Sequence, residues 1–367
     1  MAISPKLTGP RSPSWSFILL DHNENDLLLL DGVTSSSGEI APRERLGGSA
    51  SISIDDRGQS IDWMTNRIRF IYNPGIEGVA PWSMGVFRFS SPNLRRSAFN
   101  AHYNVKLLTK LSIPDSEVLL SPISLPAGTR IIPEVEAILR STGETRLSVT
   151  YSDIELNTPY FAEVGTSKLT VINELLLAAN YWALKVDLSG TFLIEPYVPP
   201  SDRLPVFTFE AGNNSIHRAD WTHEQDLNSV PNVVACSTMG TDDEPSLIGI
   251  ARNETTDPSS PAWPFSYSNR GYWVGRSYDV EASSQEVIDA IAQNYLQRAM
   301  DPVSKYSIEH AILPLQGDDA VIFQSTAAGR EVHTRATVQR ISWQGTFDAH
   351  MRTTLRANMS IENQDGD

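Results

Sequence analysis

The sequence predicts a mainly β protein of the α+β class, in which two antiparallel β-barrel or sandwich domains flank a small α/β domain. Strand-like runs of alternating polarity fill both ends of the chain, helical patterns are few, and Gly, Pro, Asn and Asp interrupt the runs. The chain has 367 residues, which is enough for two or three domains. We expect domain boundaries that give residues 1–125, 126–200 and 201–367.

Residues 1–125 carry the strand patterns of the first domain. Two short apolar runs, Trp15–Leu20 and Leu27–Leu30, flank the polar turn Asp21–Asp26 and predict a hairpin. Ile and Ser alternate over Gly48–Asp55, which is the period of a half-buried strand. The same alternation predicts strands over Arg67–Tyr72, over Trp82–Phe89 with a bulge, and over Tyr103–Ile113.

Residues 126–200 predict a helix, a strand, a second helix and a hairpin. Helical spacing of apolar residues marks Arg130–Ser141, where Pro133 fits the first turn and Gly143 suits the C-terminal cap. The second helix, Lys168–Trp182, is amphipathic and has Ser167 as a good N-cap. A strand over Arg146–Val149 and a hairpin of Ala183–Leu188 with Thr191–Pro196 complete this segment.

Residues 201–367 return to strand patterns around one helix. The helix, residues 283–299, has an apolar stripe and a capping box formed by Ser283 and Glu286. The predicted strands are Val206–Glu210, Asn232–Ser237, Tyr306–Leu313, Ala320–Ser325, Glu331–Trp343 and His350–Ser360, the last two pairing as a closing hairpin.

The net charge limits the partners of the chain. With 29 basic and 44 acidic residues the formal net charge is −15. Wrapping of DNA is therefore not expected, because Lys and Arg supply most of the affinity for phosphates. An acidic channel wall that repels DNA and a simple role in solubility both fit the negative sign.

Cys236 is the only cysteine, so an intramolecular disulfide and a thiolate metal cluster are excluded. This usage fits assembly in a reducing cytoplasm. Cys236 lies in a strand-like run without a neighbouring basic cluster, which favours a small buried apolar residue over a reactive thiol.

No membrane or export segment is expected. The Pro- and Ser-rich start, Met1 to Ser16, has no apolar core of a signal peptide. The longest apolar runs, such as Ile172–Ala179, fall far short of the roughly 20 residues that span a bilayer. We expect a soluble protein without membrane insertion.

The sequence contains no convincing catalytic or metal-binding motif. Neither a G-x-S-x-G elbow nor a P-loop is present. His217 and the run His223-Glu224-Gln225-Asp226 lack zinc-site spacing, and Asp242-Asp243-Glu244 lacks the spacing of an EF-hand. Asp318-Asp319 after Gly317 favours a turn over a catalytic pair. We predict no enzymatic activity, no catalytic or metal-ligating residue and no cofactor.

One aromatic segment is a candidate binding surface. It could form a carbohydrate platform or a contact between subunits, and the enrichment of aromatic residues at interfaces favours the contact. The interface candidates are Trp263, Phe265, Tyr267, Tyr272 and Trp273.

Several motifs occur in a characteristic order. Leu125–Thr129 leads into the helix that ends near Ser141-Thr142-Gly143, and Val164–Leu169 leads into the helix Asn173–Trp182. The later markers are Ala183–Asp187, Ser189-Gly190, Phe192–Tyr197, Ser229–Val234, Ile250–Arg252 and Pro258–Pro261. This series resembles the hub proteins of phage tails, which include the late-control-D family of contractile tails and the tail-tip hubs of long non-contractile tails. Residues 1–125 match only in strand content.

The resemblance implies a structural protein of the virion. It implies a homotrimer in which two tube-like β domains per chain form a pseudo-sixfold ring, joining the tail tube to tip and fibre proteins. DNA would pass through the ring without specific binding, and open sheet edges would pair between neighbours. The resemblance implies assembly in the host cytoplasm and a place at the tail tip, with any receptor-binding or wall-cleaving domain on another protein. The residues that line the channel are not identified by sequence.

Two alternatives stay open. The chain could be a tail-associated carbohydrate-binding or cell-wall-degrading protein, which the aromatic segment Trp263–Trp273 would serve. It could instead be the spike base of a contractile secretion particle or of a gene-transfer particle.

Overall fold

The computed structural model describes residues 5–97, 101–200, 202–212, 215–225, 228, 230–238, 246–260, 262–280, 284–299, 303–327, 330–346 and 350–358. Within them the fold is α+β and mainly β, as the sequence predicts. The chain forms two compact units. We call Met1–Trp221 with Ser307–Leu355 the large unit, and Thr222–Tyr306 with Arg356–Asp367 the small unit. The predicted three-part division stays a prediction about the modules of the chain.

The strands and helices follow in chain order. The first strands are β1 Ser14–Leu20, β2 Asp26–Leu29, β3 Val33–Ile40, β4 Gly48–Asp55, β5 Arg67–Asn73, β6 Trp82–Arg96 and β7 Ala101–Thr109. The next elements are α1 Ser112–Ser116, β8 Ile123–Leu125, α2 Ile131–Arg140, β9 Leu147–Val149, β10 Tyr160–Ala162, α3 Lys168–Ala178, β11 Lys185–Val186 and β12 Phe192–Ile194. The last are β13 Phe207–Phe209, β14 His217–Gln225, β15 Val233–Ser237, β16 Ile248–Arg252, α4 Tyr267–Arg270, β17 Gly275–Asp279, α5 Gln285–Ala299, β18 Val303–Ala311, β19 Ala320–Ala327, β20 Arg330–Gln344 and β21 His350–Asn358.

One sheet joins strands from both ends of the chain. Its main path runs β14-β18-β21-β20-β3-β4-β7-β6-β5-β1-β2, and β19 pairs with β20 and with β13. The two ends meet where Ile341–Gln344 of β20 pairs antiparallel with Ser37–Ile40 of β3. The last strands of the chain therefore return to the sheet that the first strands begin.

The sheet contains the same strand order twice. The first half runs β3-β4-β7-β6-β5, and the second runs β14-β18-β21-β20-β19, so both follow the order first, second, fifth, fourth, third along the chain. The fourth strand of each set, β6 or β20, has 15 residues. The likeness ends at the next strand, since β1 is antiparallel to β5 whereas β13 is parallel to β19. The two halves are thus head-to-tail repeats of one topology.

Alternation of side chains builds the core of this sheet. In β4, Ala50, Ile52 and Ile54 are buried, whereas Ser49 and Ser51 are exposed. β5 buries Ile68, Phe70 and Tyr72 in the same way, as the sequence predicts. Strands with this period bury one face and leave the other to solvent or to a partner.

The middle of the large unit is a small helical layer with short strands. α2 and α3 pack together over a core in which Val135, Leu139 and Leu175 are fully or almost fully buried. Ser167 caps α3, because its Oγ accepts a hydrogen bond from the Thr170 N–H. β11 and β12 form the predicted hairpin, and β12 also pairs parallel with β9.

The small unit contains a three-stranded sheet of order β16-β15-β17. α5 covers one face, where Ile288, Ala292 and Leu296 pack against Val234 and Cys236. The described part of the predicted helix begins at Gln285, and Ser283 of the predicted capping box lies outside the described residues.

Several predicted boundaries are wrong. The strand predicted to Ile113 ends at Thr109, and Ile113 belongs to α1. The helix predicted to Trp182 ends at Ala178, because Asn180 adopts φ 55° and stops the helical pattern. The strands β3 and β14 are missing from the prediction, since Ser, Gly, His and Asp are poor strand signals. Among the described residues, no helix combines the length and apolarity that crossing a bilayer requires.

Candidate functional site

A free strand edge ends the first half of the sheet. β20 uses one stretch to pair with β19, over Arg330–Thr337, and a later stretch to pair with β3, over Ile341–Gln344. β6 pairs with β5 over Trp82–Arg88. Its later residues, Ser90–Arg96, are all exposed, and within the described part of the chain Ser91–Arg96 pair with β7 alone. The later stretch of β20 has β3 as its second neighbouring strand. Among the described residues, the later stretch of β6 has no such second neighbour.

The uncovered side of the sheet is rich in hydroxyl groups. Cross-strand register places its residues in rows that run from β20 through β3, β4 and β7 to β6. We call this surface the hydroxyl face. Its rows are Gln344-Ser37-Ser51-Lys106-Ser91, Ser342-Glu39-Ser49-Leu108-Arg88 and, without β20, Ser35-Ser53-Asn104-Asn93.

A broad cleft of about 780 Å³ lies over the hydroxyl face. Its lining extends from Lys106 on β7 to Arg352 on β21 and Glu309 on β18. The opposite side of the same strands is apolar and closed: Trp343 is buried over Gly38, where an added Cβ would lie 2.2 Å from the indole ring. The sheet therefore has one open side and one packed side.

A buried ionic cluster fixes the helical layer to the sheet. The carboxylates of Glu24 and Glu144 alternate with the cations Arg67 and Lys110. Arg67 lies 2.7 Å from Glu24 and 2.5 Å from Glu144, and Lys110 contacts both carboxylates. The side chains of Lys110 and Glu24 are 0% and 1% exposed, so the charges compensate each other with little help from water. We call these four residues, with Arg146 at the rim, the ionic junction.

Backbone geometry supports the ionic junction. Lys110 Nζ also donates to the Gly190 carbonyl at 2.7 Å and lies 4.8 Å from the centre of the Phe192 ring. Gly190 has φ 90°, and an added Cβ would lie 2.9 Å from Glu24 Oε2. Only glycine fits this approach of the β11–β12 turn to the carboxylate.

The predicted aromatic interface candidates all lie in the small unit but differ in exposure. Phe265 is buried, whereas Tyr267, Tyr272 and Trp273 are 41%, 51% and 40% exposed. The rings of Tyr267 and Trp273 stack with centroids 4.5 Å apart. Trp263 lies in a short 3-10 helix and is partly exposed. The stacking covers one face of the Trp273 ring, and the choice between a subunit contact and a sugar platform stays a prediction.

The open side of the small sheet continues this apolar surface. Ile248 and Ile250 of β16 point away from α5 and are 56% and 48% exposed. Register places Ile250 beside Ala235, and Arg252 in the next row beside Val233. The guanidinium of Arg252 lies 5.9 Å from the Trp273 ring centre, which connects the two parts of the surface.

The residues considered for metal or acid–base chemistry have structural partners. His217 is buried, with its ring nitrogens 2.7 Å and 3.1 Å from the carbonyl oxygens of Arg218 and Gln324. His223 stacks on Tyr306 with ring centroids 4.5 Å apart. Asp319 accepts a hydrogen bond from the Gln316 N–H in the turn before β19, and burial raises the pKa of its carboxyl.

The other candidates are a buried cysteine and acidic residues that the structure does not describe. Cys236 is buried on β15, and burial raises the pKa of its thiol. Asp242-Asp243-Glu244 and Asp226 lie outside the described residues. Within the described parts of the chain, no group of three or more His, Cys, Asp or Glu side chains is arranged to hold a metal ion.

Comparisons with known proteins give a consistent fold. No family model and no curated protein matches the sequence. The structure is similar to a tail protein from Neisseria meningitidis MC58, with TM-score 0.64, 8% identity and coverage of 95% of this chain and 97% of that chain. It is also similar to the 43 kDa tail protein of prophage MuSo2 from Shewanella oneidensis, with TM-score 0.63, 9% identity and coverage of 93% and 98%.

Further similar structures extend the range of assemblies. The prophage tail protein gp18 from Listeria monocytogenes has TM-score 0.52, 11% identity and coverage of 95% of both chains. A chain of the Francisella PdpA–VgrG complex has TM-score 0.57 and 8% identity, with coverage of 97% of this chain and 59% of that one. The predicted resemblance to phage tail proteins is thus confirmed at the level of the fold, over nearly the whole chain.

Sequence reasoning missed the ionic junction and the hydroxyl face. The four central residues of the junction are far apart in sequence and lie in turns or at the ends of different elements. No spacing pattern therefore predicts that they meet: Glu24, Arg67, Lys110 and Glu144. The serines of β4 are an exception. Their alternation with Ala50, Ile52 and Ile54 predicted one polar side, and pairing with the unrecognised β3 would have extended it.

Proposed function

We propose that the chain is a structural hub of a phage tail tip or baseplate, which forms a homotrimer, lines the DNA channel and joins the tail tube to tip proteins. The main observation that supports this proposal is the repeated strand order within one sheet. Two equivalent sets of strands per chain make six sets in a trimer, which matches a threefold particle to a sixfold tube.

The contact between the repeats suggests how chains join. Within one chain, β20 at the end of one repeat pairs with β3 at the start of the other. The equivalent strands between chains are β6, with its free stretch Ser90–Arg96, and β14, which ends the sheet path. Pro92 has no N–H, so we expect pairing along the residues that follow it. Head-to-tail contacts of this kind close into a ring and leave no exposed edge.

The number of strands supports a wide channel. Each chain would contribute β14, β18, β21, β20, β3, β4, β7 and β6, which gives 24 strands in a trimer. At about 4.8 Å per strand, the circle has a diameter of about 37 Å before strand tilt widens it. Barrels of 16–18 strands already enclose an aqueous channel, so the proposed ring has room for a duplex.

The remaining parts of the chain fit roles in assembly. We propose residues 1–125 and 201–367 as the two tube-like modules and residues 126–200 as the insert that the ionic junction holds in place. The aromatic surface around Trp273, with Ile248 and Ile250, would contact another subunit or a tip protein. The protein would act without catalysis, as a virion component assembled in the host cytoplasm.

Native mass spectrometry of the purified protein tests the proposal. We expect complexes that contain multiples of three chains. Leu94→Asp places a charge on the free stretch of β6 and lowers the trimer fraction, because charged edges resist strand pairing. Leu177→Asp, at an exposed position of α3, is the matched control and leaves the trimer intact. A stable monomer with no affinity for tail-tube or tip proteins contradicts the proposal.

A spike base of a contractile secretion particle is the second candidate. The likeness to a chain of the Francisella PdpA–VgrG complex favours it, since it covers 97% of this chain. The genes beside the coding sequence separate the two candidates: tail-tube, tape-measure and fibre genes support the phage tail, and their replacement by secretion genes supports the spike base.

A further inference from the structure

The hydroxyl face has a composition that stands apart from the rest of the chain. Seven of its fourteen positions in the three rows are serine: Ser35, Ser37, Ser49, Ser51, Ser53, Ser91 and Ser342. Only Glu39 carries a carboxylate, although the whole chain has 44 acidic residues against 29 basic ones. Carboxylates are therefore sparse in these three rows. The adjoining row on the same side, Asp55-His102-Arg95, adds one carboxylate and one guanidinium, and Glu309 and Arg352 line the cleft beside the rows.

The polar groups of this face bond to one another. Ser37 Oγ and Ser51 Oγ are 2.8 Å apart, and Ser53 Oγ donates to Asn104 Oδ1 at 2.8 Å. Glu39 forms an ion pair with Arg340 at 2.6 Å. Hydroxyl groups with partners of this kind gain little from an additional acceptor such as a phosphate oxygen.

We propose that the hydroxyl face is the wall of the axial channel and that a DNA duplex passes along it. The inference rests on the proposed trimer. Phosphates bind to proteins mainly through Lys and Arg, and the three rows hold only Lys106 and Arg88, with Glu39 as the one negative charge. Such a wall neither binds the duplex firmly nor repels it strongly. The polyanion would therefore slide past hydrogen-bonded hydroxyl groups. An acidic wall was one of the two explanations of the net charge that the sequence left open, and this face does not have one.

The width of the proposed ring agrees with this occupant. The rows cross five of the eight strands that each chain would contribute, and the cleft reaches two more, β21 and β18. The other side of these strands is filled by buried residues such as Ile52 and Trp343, so it cannot face a water-filled channel. Of the two sides of the sheet, the hydroxyl face is therefore the one that can face a channel containing the duplex.

Spin-label distance measurements test where the face lies. A label at Ser51→Cys, in a Cys236→Ala background, reports the separation of three equivalent positions in the trimer. For a position that faces the axis of the 24-stranded ring we expect about 20–35 Å. The control label at Leu177→Cys on α3 gives a longer distance. A trimer in which Ser51 labels are as far apart as the control labels overturns the inference but leaves the proposed trimer standing, whereas a monomer removes the proposed function itself.

A gain of DNA binding tests the chemistry of the wall. The variant Ser37→Arg/Ser51→Arg adds six cations to the proposed channel of a trimer. The end of a linear duplex can enter a closed channel, whereas a closed circle of DNA cannot. We expect the variant to bind linear DNA at least tenfold more tightly than a circle of equal length, with affinity that falls steeply as salt rises. The control Met64→Arg/Leu177→Arg, at two exposed positions, binds both forms equally. Equal binding of both forms by the Ser37/Ser51 variant, or no binding, overturns the inference.

Discussion

The helical layer of the large unit and the small unit both place helices beside a three-stranded sheet, yet they are stabilised differently. Within the described residues, the core of the helical layer contains nineteen buried residues, and that of the small unit contains six. The helical layer is also fixed to the large sheet by the ionic junction. The small unit keeps Ile248 and Ile250 exposed on its open side. One region is thus fixed to the large sheet by buried charges, and the other leaves an apolar surface exposed.

Removal of Lys110 gives the largest expected effect. Lys110→Met leaves Glu24 and Glu144 buried with one cation fewer, and loss of one partner of a buried ion pair costs about 3–5 kcal/mol. The free energy of unfolding of the large unit, measured in urea, reports the loss.

The exposed pair Arg57–Asp31 provides the control for this prediction. Both side chains are more than half exposed, so Arg57→Met changes the free energy of unfolding by less than about 1 kcal/mol. Equal effects of the two substitutions contradict a structural role of the ionic junction.

Truncation of one core residue in each region sharpens the comparison. Leu175 and Leu296 are almost fully buried, and Leu→Ala in a core costs about 2–5 kcal/mol. Leu296→Ala removes one of six core residues, so we expect faster hydrogen exchange at the amides of β15 and β16 with little change in β4. Leu175→Ala speeds exchange in α2 and α3 instead. Uniform acceleration over the whole chain by Leu296→Ala argues against a small unit with its own core.

The stability of the large unit is expected to fall in acid because of His310. This histidine is 0% exposed, it lies 2.8 Å from Thr353 Oγ1, and burial lowers its pKa from 6.5 to about 3. Between pH 6.5 and about pH 3, His310 therefore binds a proton in the unfolded chain but not in the folded chain. The free energy of unfolding that depends on neutral His310 is fully present above pH 6.5 and is lost as the pH falls from 6.5 towards 3. The loss is roughly 1–2 kcal/mol between pH 7 and pH 5.

Urea unfolding at pH 7 and pH 5 measures this pH dependence. His310→Asn removes the titrating group, so the difference between the two pH values becomes smaller in the variant than in the parent. An unchanged difference shows that other groups cause the acid sensitivity.

Substitution on the open side of the small unit gives the smallest expected effect. Ile250 is 48% exposed, so Ile250→Ser changes the free energy of unfolding by about 0.5 kcal/mol or less. Val234→Ala, on the covered side of the same sheet, creates a cavity and costs more. Thermal unfolding of the two variants checks the ranking. A larger effect of Ile250→Ser means that the exposed isoleucines already pack within the chain.

The sequence predicted those elements whose patterns are local. β4 was predicted with its observed bounds, because Ile and Ser alternate over eight residues. The helix α2 was predicted from its apolar spacing, with Pro133 in its first turn. β3 was missed, although it joins the two halves of the sheet, since Val33–Ile40 contains three serines and a glycine and its strand conformation depends on β4 and β20.

Sites that depend on tertiary contacts could not be predicted. The ionic junction unites residues that lie up to 122 positions apart, and each of them alone resembles a solvated surface charge. The aromatic candidates were predicted as a group, because Trp263–Trp273 is a continuous run of sequence. Their different exposure depends on packing that the run itself does not encode.

An image of the oligomer tests the central claim most directly. Class averages of the purified protein by negative-stain electron microscopy report both its symmetry and any axial opening. Two head-to-tail strand sets per chain predict a ring of three chains with six similar lobes around a central hole. A solid particle, or a ring whose symmetry is not threefold, contradicts the account.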